Sequence, residues 1–300
     1  MLSILIPNYN QNVTKLVQQL NEQLKINGFV AEIIVGDDGS DRPVYEINRH
    51  IGQLEDVRLI RMENQVGRAI IRNILAKEAQ YNYLLFIDSD ALVDSLDYLK
   101  NYQIFLGDFE VVAGGVMYQD FAPENPKQLL RWKYGRKKEE KSAEKRKTDP
   151  YSSFSTFNFL ISKKTFQSVQ FDENIKEYGH EDTLFGYELL KRSIPIVHID
   201  NPLLHTGLDE NDVFLEKTRI SLKNLNNIFV EMNFSKTFRN QVSLLRTYYF
   251  IKKFKLLVIA KLKFKLFRSF LENNLTGKSP SVWLFQLYKL GYYCSIADND

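Results

Sequence analysis

The 300-residue sequence has one cysteine, Cys294, and so can build neither an intrachain disulfide nor a cysteine-based zinc site. A reducing compartment is the simpler expectation. No run of about 18 apolar residues occurs, the length a membrane-spanning helix needs, so any membrane contact is expected at the surface. The opening MLSILIPNYN has no basic residue ahead of an apolar run too short for a signal segment, and no secretion signal is expected. Charge of one sign is also lacking: Lys plus Arg number 40 against 37 Asp plus Glu, a net +3 that by itself does not point to nucleic acid. There is no internal repeat and no low-complexity tract. What is present, 44% hydrophobic and 26% charged residues, excludes disorder and collagen and suits a folded α/β chain.

Through the first 120 residues, short β-branched or Leu-rich runs alternate with helical patterns, as in βαβ units on a mostly parallel sheet. Strands are predicted at Leu2 to Ile6 (stopped by Pro7), Glu32 to Val35, Val57 to Arg61, Tyr83 to Ile87 and Val111 to Ala113. Helices are predicted over Val13 to Ile26, with Gly28 as its stop, and over Gly67 to Ala79. Arg131 to Lys147 holds nine basic and three acidic residues and reads as a mobile loop. Regularity returns at Phe157 to Ile161, Glu181 to Arg192 and Asn224 to Met232. From residue 236 the composition changes: ten basic residues precede the next acid, Glu272, interleaved with Leu, Phe, Tyr, Ile and Val. Apolar residues mixed with lysine suit the anionic face of a bilayer, and helices packed on the rest of the protein are the other reading. The expected organisation is residues 1–235 as one domain and 236–300 as a basic, apolar-rich helical extension.

The sharpest chemical signal is Asp88-Ser89-Asp90 at the end of a buried strand, because open α/β sheets bind ligands beyond their strand ends. Two carboxylates around one turn can converge on a hard cation such as Mg²⁺ or Mn²⁺, which also bridges to phosphates. Taken singly, Asp-x-Asp is more often a solvated turn. Asp37-Asp38-Gly39-Ser40 follows another strand and puts carboxylates on the same sheet edge, although such a run alone is usually a plain turn. Arg68 and Arg72 lie one helical turn apart near a helix start, a pair suited to phosphate, or else a charged helix face. Glu181 and Asp182 open a helix, where acids also simply offset the dipole.

Five motifs in fixed order resemble the family 2 glycosyltransferases: Ser3-Ile4-Leu5-Ile6-Pro7-Asn8-Tyr9-Asn10, Asp37-Asp38-Gly39-Ser40, Asn64-Gln65-Val66-Gly67 with Arg72-Asn73, Asp88-Ser89-Asp90, and Gly179-His180-Glu181-Asp182. The resemblance covers roughly residues 2 to 210 and implies a GT-A fold, a mostly parallel nucleotide-binding sheet flanked by helices. It implies that Pro7, Tyr9, Asp37 and Asp38 hold the nucleoside, Asp38 being the base contact, and that Arg72 serves the phosphates. Asp88 and Asp90 match the metal motif, Asp90 as direct ligand and Asp88 toward ribose or, through water, the metal. Glu181-Asp182 resembles the acidic pair near the acceptor, with Asp182 as general base. His205 falls on a position that often supplies a further metal ligand, and His198 is its rival. Three positions depart from the pattern: His180 replaces the second glycine of Gly-Gly-Glu-Asp, Gly36 stands where a β-branched residue is usual, and Ile71 where alanine commonly precedes the arginine.

A leaving diphosphate needs a divalent cation and cationic side chains, and an attacking hydroxyl needs a base. One carboxylate base without a carboxylate nucleophile implies a single in-line displacement with inversion. The expectation is therefore an inverting, Mn²⁺- or Mg²⁺-dependent hexosyl- or N-acetylhexosaminyl-transferase that uses a nucleotide sugar, UDP-linked by expectation. Its acceptor is a glycan or lipid-linked, in polysaccharide biosynthesis. It is expected in the cytoplasm, peripheral at the inner membrane face through residues 236–272, and without nucleic acid. The alternatives are a catalytically silent nucleotide-binding scaffold at the membrane surface, against which the intact carboxylates argue, and a nucleotidyltransferase, whose Gly-rich basic signature is missing from Pro7-Asn8-Tyr9-Asn10. A Rossmann dehydrogenase lacks its Gly-x-Gly-x-x-Gly.

Overall fold

A computed structural model describes residues 1–297. In chain order it runs β1 (Leu2–Asn8), α1 (Thr14–Asn27), β2 (Ala31–Asp37), α2 (Arg42–Asn48), β3 (Val57–Arg61), α3 (Arg68–Glu78), β4 (Tyr83–Ile87), β5 (Ala91–Leu92), α4 (Tyr98–Gln103), β6 (Val111–Ala113) and β7 (Val116–Met117). Next come α5 (Leu129–Tyr134), α6 (Ala143–Lys147), β8 (Asn158–Ser162), α7 (Lys163–Val169), α8 (Glu181–Lys191), β9 (Ile196–His198) and β10 (Leu203–His205). Helices α9 (Asn211–Glu231), α10 (Lys236–Gln241), α11 (Ser243–Lys253), α12 (Leu257–Thr276) and α13 (Val282–Ile296) follow. Two compact units form. The first contains Met1–Tyr118, Glu140–Lys176 and Leu184–Gly207, and the second Gln119–Glu139, Glu177–Thr183 and the chain from Leu208 onward.

The first unit is built on a seven-stranded sheet in the order β3-β2-β1-β4-β8-β6-β9. The first four strands are mutually parallel, β8 is antiparallel to both its neighbours, and β9 is parallel to β6. Strands buried on both faces need apolar residues at successive positions, and side chains alternate between faces. Ile4, Ile6, Ile33, Val35, Leu85 and Ile87 therefore pack one way, onto Leu16, Val17 and Leu20 of α1 and Tyr98 and Tyr102 of α4. Leu5, Ile34, Leu84 and Phe86 pack the other way, onto Leu75 of α3, Phe166 of α7 and Phe185 of α8. Pro7 does not stop β1, which continues to Asn8 in register with Asp37; a missing N–H is tolerated near a strand's end. Gly28 closes α1 in the left-handed region, φ 61°, as its position predicts.

The basic stretch expected to be a loop is largely helical. Arg131 and Arg146 are buried, and each has internal partners that a solvated loop would lack. Arg131 pairs with Glu139 at 3.0 Å. Arg146 donates to the carbonyls of Ala113, Gly114 and Ile199 at 2.7–3.1 Å, gathering backbone acceptors at the end of β6. Composition counts charges without showing which are buried.

In the second unit α9 packs with α5, α12 and α13. Arg219 of α9 joins them, donating to Tyr288 of α13 and to Glu272 of α12, each at 2.7 Å. Burial pushes the Glu272 carboxyl up, but hydrogen bonds from Arg268 and Tyr288 and the neighbouring arginine charges outweigh it and hold it below its ordinary value. No helix among the described residues is long and apolar enough to cross a membrane.

Two departures from the family pattern explain each other. A Cβ added at Gly36 would lie 2.9 Å from Ile71 Cδ1 and 3.0 Å from Leu75 Cδ2. The volume absent from β2 is filled from α3, so the pair is a swap of large for small across one contact. Gly36→Val alone should therefore overpack the contact and cost about 1–3 kcal/mol, and Ile71→Ala alone about 2–4 kcal/mol. The double variant should recover at least about 1 kcal/mol of their sum. Urea unfolding of the four proteins measures this, and strict additivity would contradict it.

Candidate active site

The parallel order β2-β1-β4 brings the carboxyl ends of these strands to one edge, where Asn8 ends β1, Asp37 ends β2 with Asp38 after it, and Asp88 and Asp90 follow β4. Asp37 Oδ1 accepts from Ser40 N–H at 2.7 Å, closing the turn. Its Oδ2 and both side-chain polar atoms of Asn8 are buried, with no hydrogen-bond partner among the described residues. Buried polar atoms are rarely left so. Two neighbouring strand ends thus present an acceptor, a donor and a carboxylate oxygen that a polar ligand could satisfy. Asp38 acts differently, accepting from Val66 N–H at 2.6 Å and Gly67 N–H at 3.0 Å and so clamping the loop before α3. Burial raises its carboxyl above the ordinary value, the two N–H bonds oppose this, and Asp37 adds to it. Gly39, at φ +74°, lets this turn close on Gln65, whose backbone N would lie 2.8 Å from a Cβ. Pro7 is half-buried beside Asn8, and Tyr9 is exposed.

Arg72 is buried to 2% exposure and its Nη2 meets Asp88 Oδ1 at 2.7 Å. Its guanidinium also lies 5.4 Å from the centre of the Phe171 ring. Asp90 and His205 are brought together by a second, three-stranded sheet, β5-β10-β7, in which β10 pairs antiparallel to β5 and parallel to β7. Thr206 reinforces the pairing by donating its N–H and hydroxyl to Asp90 O at 2.8 and 2.7 Å. The His205 ring is stacked between Tyr118 and Phe157, with centroids at 5.1 and 5.2 Å. Its Nε2 lies 3.6 Å from Asp90 Oδ2, too far for a hydrogen bond and suited to two donors on one cation. A Cβ at Gly207 would come within 2.3 Å of Asp90 Oδ2, so only glycine lets the chain pass this close to the carboxylate. A carboxylate and an imidazole fit Mn²⁺. Among the described residues no three His, Cys, Asp or Glu side chains converge to hold a metal, so other ligands would have to come from water or substrate. His198 is buried, with Nδ1 at 3.0 Å from Arg146 and Nε2 at 2.9 Å from Pro150 O. Its ring nitrogens are committed inside the protein.

Glu181 and Asp182 begin α8, in the part of the chain that belongs to the second unit. Gly179 (φ +94°) precedes them, and a Cβ there would lie 2.5 Å from Ser221 Oγ of α9. Asn224 of α9 donates to the carbonyls of Gly179 and Glu177. Helix α9 thereby fixes the segment that starts α8. Asp182 Oδ1 accepts from Thr183 N–H at 2.7 Å. His180 occupies the left-handed region at φ 70°, where glycine is the easier residue, and its Nδ1 is 3.1 Å from Thr183 Oγ1. Burial lowers its pKa to about 4, with Glu181 opposing and Lys289 assisting, so the ring is neutral near pH 7.

The first unit thus carries Pro7, Tyr9, Asp37, Asp38, Asp88, Asp90 and His205 at or beside its strand ends and Arg72 on α3, while Glu181 and Asp182 stand in the second. Sequence reasoning passed over Asn8 as a site residue. Its signal was legible, a carboxamide following the apolar run Ile4 to Ile6 and Pro7 at a strand's end. Gly207 and the rings enclosing His205 gave no comparable sign.

An open α/β sheet with carboxylates at its strand ends is the architecture of a GT-A glycosyltransferase, and similarities to known proteins agree. Solved structures of similar fold include the mannosyltransferase PcManGT of Pyrobaculum calidifontis in complex with GDP-Man and Mn²⁺, at TM-score 0.57 and 13% identity over 99% of this chain and 85% of that one. Another is S. aureus TarS, at TM-score 0.52 and 18% identity over 97% and 54%. In sequence, Escherichia coli chondroitin synthase is 28% identical over 223 residues, 63% of this chain and 32% of that protein. An uncharacterized glycosyltransferase of Haemophilus influenzae is 37% identical over 92 residues, 30% of this chain and 29% of that protein. The chain therefore spans about a third of the length of these curated relatives. Residues 3–169 match glycosyl transferase family 2, and the chain belongs to that family.

The loop clamp separates two possible roles of Asp38. Hydrogen bonds to a carboxylate are worth about 1.5–3 kcal/mol each, so Asp38→Ala should lower unfolding stability by about 2 kcal/mol and speed proteolysis within residues 61–68. A variant of wild-type stability that loses only donor affinity would make Asp38 a nucleobase contact instead.

Proposed function

We propose that this glycosyltransferase moves a hexosyl or N-acetylhexosaminyl unit from a nucleotide sugar, a UDP-sugar by preference, to a glycan or lipid-linked acceptor, with inversion and with a divalent cation. The catalytic domain in this reading is residues 1–235, carrying the extension 236–300, and the protein works at the cytoplasmic face of a membrane. The observation that carries it is Asp90 beside His205, held by a dedicated small sheet, with Gly207 packed against the carboxylate where a larger residue would clash. The GDP-Man and Mn²⁺ in the mannosyltransferase of similar fold support the donor class and the cation, and the likeness to chondroitin synthase supports a glycan acceptor.

The chain's residues divide the work. Asn8 and Asp37 offer the nucleoside its polar partners, with Pro7 and Tyr9 beside them and Asp38 holding the adjoining loop. Arg72, oriented by Asp88, offers the diphosphate a positive charge that is already desolvated and so strong. Asp90 and His205 would hold the cation, with Asp88 reaching it through water or meeting the ribose. When bound, Mn²⁺ or Mg²⁺ supplies electrostatic stabilisation of the charge on the departing diphosphate. Asp182 takes the proton of the acceptor hydroxyl as its oxygen bonds to the anomeric carbon, and the electron pair of the broken bond leaves with the diphosphate. Glu181, buried one residue before, serves the same helix start.

Radiolabelled transfer and thermal shift, each over a panel of nucleotide sugars with and without Mn²⁺, test this. Asp182→Asn should lose at least about 100-fold in transfer rate while its melting temperature still rises with donor and Mn²⁺, since a ligand of the native state raises apparent stability. Asp90→Ala should lose the Mn²⁺-dependent part of that rise. Near-normal turnover by Asp182→Asn, or an unchanged Mn²⁺ effect in Asp90→Ala, would contradict the respective assignment.

A further inference from the structure

Helix α12 has two apolar faces, and only one of them is used by the protein. Phe264, Leu271 and Leu275 are buried; a Cβ on Gly291 of α13 would lie 2.4 Å from Phe264, so this side is seated tightly on its neighbour. At about 100° per residue, Val258, Leu262, Leu266 and Phe270 recur every fourth position on the opposite side, with Ile259 beside them. All five are half or more exposed. A single amphipathic helix packed on a core would carry polar residues there.

The charges around this stripe identify what covers it. Lys261 and Lys265 flank one edge and Lys263 the other, and no acid occurs between Lys236 and Leu271. Nearby, Phe250 and Phe254 of the α11 segment form a second exposed apolar pair, rings 4.7 Å apart, beside Lys253 and Lys255. A symmetric contact between two copies would bring lysine rim against lysine rim, because the same patch appears on both sides. Apolar side chains rimmed by lysine match instead the boundary of acyl chains and anionic headgroups, where a helix lies flat with its apolar side inserted.

We infer that the outward stripe of α12 is a lipid-seating face, which docks the protein on anionic phospholipid with Leu262, Leu266 and Phe270 inserted and Lys261, Lys263 and Lys265 at headgroup level. This deepens the proposed function: it rests on that reading only for its consequence, that the acceptor is lipid-linked and presented by the same surface. The inner face keeps the helix folded, so lipid is not needed for stability.

Flotation of the full chain with phosphatidylcholine vesicles, with and without phosphatidylglycerol, tests the inference. Wild type should float with the anionic vesicles at low salt, weakly at high salt, and not with pure phosphatidylcholine. Leu262→Glu/Leu266→Glu/Phe270→Glu should abolish flotation, with circular dichroism and urea midpoint unchanged because these side chains leave no core contact behind. Changing Lys261, Lys263 and Lys265 to Gln should weaken vesicle partitioning by about 5-fold per lysine. Failure of wild type to float, equal flotation of the triple Glu variant, or a wild-type dimer in light scattering that this variant converts to monomer would each overturn the inference. Donor binding, read as a thermal shift with nucleotide sugar and Mn²⁺ in the absence of vesicles, keeps the readings apart: flotation without a donor shift sinks the catalytic proposal and leaves this one standing, and a donor shift without flotation does the reverse.

Discussion

Asp90 and His205 are remote in sequence and adjacent in space because β5 and β10, two and three residues long, pair antiparallel. Such short strands hold poorly alone, and three supports compensate: the parallel partner β7, the two Thr206 hydrogen bonds to Asp90 O, and the aromatic rings on either side of the imidazole. Each restricts a different freedom. The pairing sets the distance between the residues, the rings set the plane of His205, and Gly207 lets the chain pass close to the carboxylate. Two side chains held in this way lose their conformational freedom during folding, before any ligand arrives. If this corner were loose, the carboxylates on the neighbouring strand ends would be a row of acids with no shared ligand.

The remaining strand-end residues divide into those satisfied within the protein and those that are not. Asp38 serves a loop and Asp88 orients Arg72, whereas Asp37 Oδ2 and the Asn8 carboxamide have no hydrogen-bond partner among the described residues. This division gives the two acids of the Asp37-Asp38 turn unlike roles despite their adjacency. In the second unit, α9 plays the supporting part: Ser221 and Asn224 hold the backbone before Glu181 and Asp182, and Arg219 ties the same helix to α12 and α13. Helix α9 is thus common to the start of α8 and to the C-terminal helices.

Much of the fold was legible because its signals are local. Tyr83 to Ile87 and Val57 to Arg61 form the predicted strands to the residue, since buried parallel strands leave continuous apolar runs. Gly28 ends its helix as its type predicts. What was not legible depends on contacts between distant segments. Arg146 reads as one more base in a charged loop, and only the carbonyls of Ala113, Gly114 and Ile199 make it an internal anchor. The resemblance favours His205 as a ligand and leaves His198 as its rival; the structure engages His198 with Arg146 and Pro150 and sets His205 against Asp90. The two readings of the basic extension, packing on the protein or contact with lipid, could not be weighed from composition because α12 buries one apolar face and exposes the other. Gly36 and Ile71 look like unrelated departures from the family pattern until the contact between them is known.

The central claim is that Asp90 and His205 share one cation. Anomalous diffraction at the manganese edge, from crystals grown with Mn²⁺ and UDP, measures this most directly. The account predicts one strong peak about 2.1 Å from both Asp90 Oδ2 and His205 Nε2, and its absence from crystals of His205→Ala grown in the same way. A peak bound elsewhere, or UDP bound in the wild type with no manganese at Asp90, would contradict it.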